Sequence, residues 1–145
     1  MTEELKKAGR SALERENAGC VVIKDGEVVY KASGHGIKPL LDLLERSPGL
    51  LAGADAADRI VGKAAALLFV KGAAASVYGE VMSGAAYDVL VSNGVTAGWG
   101  TRAASISNRD GSGICPMERA VLNVDDPDEA FHVLKDTLKR LTGGG

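Results

Sequence analysis

The stretch CVVIKDGEVVYKA, residues 20–32, holds two β-rich runs separated by Asp25 and Gly26. Asp-Gly between such runs is the strongest short hairpin signal, because the matching turn needs positive φ at both central positions. The expectation is an antiparallel strand pair, against which the rest of the chain must be laid. Upstream, residues 2–17 carry Leu5, Ala8, Ala12 and Leu13 at helical spacing with charge elsewhere, which predicts an amphipathic helix. Downstream, PLLDLLERS (39–47) predicts a short helix, opened by Pro39 in the first turn.

Residues 48–57 read as a connector, with Asp55 or Asp58 as the cap of the next helix. That helix, DRIVGKAAALLFVKG (58–72), is the most apolar in the chain and is expected to be buried on several sides. AAASVYGEVM (73–82) predicts a buried strand. SGAAYDVLVSNG (83–94) predicts a helix capped by Ser83 and closed by Asn93-Gly94. VTAGWGTRAASIS (95–107) offers at best one or two short strands, interrupted by Gly98 and Gly100. DDPDEAFHVLKDTLKRL (125–141) predicts a last helix with Asp caps and Pro127 in its first turn. A hairpin followed by strand–helix–strand crossovers implies a mixed sheet with helices on both faces, a three-layer α/β/α sandwich of the α/β class. The chain reads as one domain, 1–145, with 126–145 forming a C-terminal helix and tail.

The net charge of −2 provides no basic footprint, and no stretch interleaves Lys or Arg with aromatics, which counts against nucleic acid, and no such partner is expected. The longest apolar run, AAALLFV, is far short of the ~20 residues a spanning helix needs, and no membrane partner is expected. The polar start is unlike a signal peptide, so the expected location is cytoplasmic. The two cysteines, Cys20 and Cys115, lack the spacing of a disulfide framework or zinc ribbon, and free thiols are expected.

The chemistry-bearing stretch is NRDGSGICPMERAV, residues 108–121. Pro116 marks a helix start and places Cys115 at its cap, where the positive helix end and Arg109 or Arg119 would favour thiolate. Against that stands the small, buried, inert thiol that most free cysteines are. A nucleophile also wants a base. His132 falls mid-helix at a surface position, and His35, between Gly34 and Gly36, is the better candidate. Gly111 and Gly113, ahead of a helix, could present backbone N–H groups to an anion. They match neither a nucleotide-triphosphate loop nor a dinucleotide fingerprint. Lys63, inside an apolar run beside Gly62, calls for a carboxylate such as Asp58, Asp110 or Glu118, or for a bound anion. The alternative is a lysine whose head reaches water. No metal constellation emerges, and no cofactor is implied.

Three blocks, GHGIKPLLDLLE, ADRIVGKAAALL and NRDGSGICPMERAV, together resemble the prokaryotic family called domain of unknown function 1893. The similarity runs from about Cys20 to Val121 and implies a cytidine-deaminase-like fold. That superfamily holds zinc with a His-x-Glu helix and a Pro-Cys-x-x-Cys motif, the Glu shuttling protons. The resemblance aligns Val61 with the first ligand, Lys63 with the shuttle Glu, Cys115 with the second ligand and Glu118 with the third. It therefore implies the fold without the zinc or the deamination. The expected function is binding of a nucleotide-like or ADP-ribose-like anion in the former pocket. Its expected ligand set is Lys63, Asn108, Arg109, Asp110, Gly111, Gly113, Cys115, Glu118 and Asp58. The alternatives are an enzyme or covalent acceptor using Cys115 or Lys63, with His35 as a third catalytic candidate, and a structural protein with a vestigial pocket. A homodimer is expected by analogy with the fold.

Overall fold

Asp25 and Gly26 both take positive φ, 51° and 78°, and fold β1 (Cys20–Lys24) back on β2 (Glu27–Ala32) as the sequence requires. The computed structural model describes residues 3–33, 37–104 and 115–142. Around the hairpin stand α1 (Glu3–Arg15), α2 (Lys38–Arg46), β3 (Asp55–Val61), α3 (Lys63–Lys71), β4 (Ser76–Ser83), α4 (Gly84–Ser92), β5 (Thr96–Ala103), α5 (Pro116–Ala120) and α6 (Pro127–Leu141).

The five strands form one mixed sheet in the order β2-β1-β3-β4-β5. β1 runs antiparallel to both β2 and β3, while β3, β4 and β5 are parallel. In the hairpin, Val22 pairs with Tyr30 and Ile23 with Val28, so the ladder is offset by a bulge at Val29. Helices α2 to α6 share the larger core with the sheet, and Ala64 to Phe69 of α3 are all buried. A smaller core, built from Ala12, Leu13 and Ala18 against Val21, Ala57 and Tyr78, holds α1. The α/β class and mixed sheet agree with the sequence reading.

Two elements differ from it. The helix expected over 58–72 begins only at Lys63, and Asp55–Val61 is a strand. Its hydrogen bonds run to β1 on one side and β4 on the other, partners distant in sequence, and that pairing overrides the local pattern. Asp58 is therefore no helix cap, and Lys63 opens its helix instead of lying inside it. The second difference is β5, a single eight-residue strand that runs straight through Gly98 and Gly100, because β4 pairs along almost all of it.

Candidate functional site

Parallel strands β3 and β4 direct their C-terminal ends to one edge of the sheet, where open α/β sheets usually carry their sites. There β3 passes through Gly62 into α3. The first amides of a helix have no intrahelical partner and carry partial positive charge. Here Glu118 of α5 meets them: its Oε1 accepts from the Lys63 N–H and its Oε2 from the Ala64 N–H, both at 2.7 Å. Gly62 is required by this contact, since a Cβ at that position would lie 2.3 Å from Glu118 Oε1.

The Lys63 side chain, 13% exposed, turns toward the start of α6. Its Nζ donates to the Leu122 carbonyl at 3.2 Å and pairs with Asp125 at 3.0 Å. The structure thus brings Lys63 and Glu118 together, but through the main chain of residue 63 and not through its ammonium. Asp125 was not anticipated. The signal was the Asp125-Asp126 doublet: one acid suffices as the cap, and Asp126 is that cap, accepting from the Glu129 N–H at 2.8 Å.

Cys115 stands at the cap position before Pro116, as expected, is half-buried, and makes no side-chain capping bond. Only five residues of helix follow it, so the helix-end field on the thiol is weak. Cys20 is also a free thiol and is buried. It pairs across the sheet with Asp58, whose other register partner is Gly79. Asp58 is 5% exposed and has no ion pair among the described residues. Burial pushes its carboxyl up to about 8, opposed by the amides of Ile60 and Arg59. Arg59 does not neutralise it, because its guanidinium donates instead to the Leu13 and Ala18 carbonyls at the end of α1. Burial also raises the Cys20 thiol, and Asp58 adds to that. His35, Asn108, Arg109, Asp110, Gly111 and Gly113 lie outside the described residues. His132 is exposed on α6.

As a zinc site the donors do not fit. Val61 is a fully buried aliphatic, both Glu118 oxygens are committed to amides, and Lys63 places an ammonium nearby. Among the described residues no three His, Cys, Asp or Glu side chains are grouped to hold a metal ion. Among the same residues no helix is long and apolar enough to cross a membrane.

Comparison with known proteins follows this geometry. The family described as domain of unknown function (DUF1893) matches residues 9–138. The crystal structure of a DUF1893 family protein from Thermotoga maritima superposes with a TM-score of 0.83 at 24% identity, covering 94% of this chain and 91% of that one. RibD of Acinetobacter baumannii superposes with a TM-score of 0.51 at 18% identity, covering 68% of this chain and 36% of that one. The apo dCMP deaminase of cyanophage S-TIM5 gives 0.49 at 17% identity over 68% of this chain and 99% of that one. The fold is thus shared with the DUF1893 family protein over nearly the whole chain and with RibD over 68% of it. No curated protein sequence matches this chain.

Proposed function

The chain belongs to the DUF1893 family, and from that premise we propose a ligand-binding protein that holds a nucleotide-like anion at the α3 N-terminus and does not deaminate it. The observation that carries the reading is the Glu118 carboxylate lying across two main-chain amides at 2.7 Å each. An anion already occupies the cradle, and the chain itself supplies it. On this reading Glu118 is a resident stand-in that a ligand phosphate displaces, with the Lys63 ammonium released from Asp125 to follow it. Deamination is left out because the resemblance to the superfamily implies Val61 and Lys63 at the positions where activated water needs a ligand and a proton shuttle.

Titrating nucleotides and their bare nucleosides into the protein by calorimetry tests this. Phosphate-bearing ligands should bind better, and Lys63→Met, which keeps the apolar stem and removes the charge, should weaken them about tenfold to a hundredfold. Equal binding by the variant, or no binding to either protein, would refute the reading. The latter result belongs to a second reading, a vestigial pocket closed for good, which the close seating of Glu118 against Gly62 favours.

A further inference from the structure

Helix α5 lies beside α6, and between them runs a groove of about 390 Å³. Pro116, Arg119 and Ala120 of α5 and Thr137, Arg140 and Leu141 of α6 line it. Its two charged residues are both arginines, and no acidic side chain joins them among the described lining residues. Neither guanidinium makes an ion pair among the described residues. Asp136 lies with Lys139 in an adjoining hollow that shares Arg140, and forms no ion pair there. Two like charges on one groove repel each other, and an anion between them removes that cost.

Arg140 is held in place without being neutralised. Its Nη2 donates to Thr137 Oγ1 at 3.3 Å, and the Thr137 hydroxyl donates in turn to the Val133 carbonyl at 2.8 Å. Thr137 is 6% exposed, so a buried hydroxyl orients the guanidinium where an acid would have spent its charge. A guanidinium carries five N–H donors, and the rest of the fork is left to grip an oxyanion. The field at the end of long α6 would account for a last-turn arginine there, but five-residue α5 exerts little on Arg119. The remaining lining, Pro116, Ala120 and Leu141, is apolar, and Leu141 is 56% exposed. Two guanidiniums match a dianion better than a monoanion, and the apolar wall beside them fits an organic substituent.

We propose that this groove binds a phosphomonoester, its dianionic phosphoryl group held between Arg119 and Arg140 and its apolar substituent against Pro116, Ala120 and Leu141. The groove goes beyond the α3 cradle and shares no residue with it.

Phenyl phosphate is the probe. Benzoate is the aromatic monoanion, inorganic phosphate the dianion without a substituent, and benzyl alcohol the uncharged control. The amide resonances of Ala120 and Leu141 report the groove, and calorimetry measures the affinity. Both are read in a Lys63→Met background, which removes the ammonium of the α3 cradle. Phenyl phosphate should shift both resonances saturably, and all three controls should bind more weakly. Arg119→Gln and Arg140→Gln should each lower phenyl phosphate affinity about tenfold, the range of one charge-assisted hydrogen bond. Both side chains are exposed and without an ion pair among the described residues, so the melting temperature should not move in either variant. No shift at Ala120 and Leu141, binding of any control as tight as that of phenyl phosphate, or full affinity in either arginine variant would overturn the site. The readout is local to α5 and α6, so a failure of the α3 cradle to bind nucleotides leaves this test intact.

Discussion

Two neighbouring regions, both built in part by α5, handle charge in opposite ways. At the α3 N-terminus the chain closes its own electrostatics: Glu118 takes the first amides and Asp125 takes Lys63. In the groove between α5 and α6, Arg119 and Arg140 have no counter-charge among the described residues. A closed arrangement adds stability and admits a ligand only by exchange. An open one forgoes stability and admits a ligand by addition. On that ground, substitutions at the first region should lower folding stability, while those at the second should leave it alone.

Asp58 breaks the pattern, because it lies on the strand that leads into the closed region yet has no paired cation among the described residues. Its carboxyl is held up to about 8 by burial, against an ordinary value of 3.8. Between about pH 4 and 8 the folded chain keeps a proton that the unfolded chain has released. Stability therefore falls as pH rises through that window and levels off above it. At 1.36 kcal/mol per pKa unit the loss is at most about 6 kcal/mol. Asp58→Asn should flatten the profile and leave the variant the more stable protein at pH 9, as denaturant unfolding across pH would measure. A wild-type profile that rises from pH 4 to 8 would contradict the assignment.

Glu118→Ala strips two charge-assisted bonds from a helix end and should cost about 3 kcal/mol by urea unfolding. A loss within about 0.5 kcal/mol, the range of an ordinary surface change, would erase the contrast between the two regions. Gly62→Ala forces the same carboxylate off its amides by contact, because the added methyl falls 2.3 Å from Oε1. Its loss should be about 2 kcal/mol, and it should largely vanish in a Glu118→Ala background. The smallest effect belongs to the open region: Arg119→Gln should change stability by about 0.5 kcal/mol or less. A clear destabilisation there would mean that the guanidinium has a structural partner after all.

What could be read from sequence is what local chemistry decides. Asp25-Gly26 specifies its turn through backbone conformation alone. Ser83 caps α4 by accepting from the Ala86 N–H, and Asp126 caps α6 in the same way. β3 was hidden because Asp55, Asp58 and Arg59 break its apolar pattern, while what holds it is pairing with strands on both sides. β5 was obscured by its glycines, whose destabilising effect the ladder to β4 outweighs. At the site, Lys63 and Glu118 were both singled out, yet their meeting was not legible. The groups that join them are main-chain amides, and a backbone donor leaves no mark on residue type.

Glu118 is the point on which the account turns, and it yields a prediction of opposite sign to the lysine variant. If the carboxylate is a resident anion that a ligand must displace, weakening it should help the ligand. Calorimetric titration of a nucleoside monophosphate into wild type and Glu118→Gln, under identical salt, measures this directly. The account predicts affinity about tenfold higher in Glu118→Gln, with the fold intact by circular dichroism. Affinity that is unchanged or lower in that variant would contradict it and leave Glu118 as a permanent helix cap.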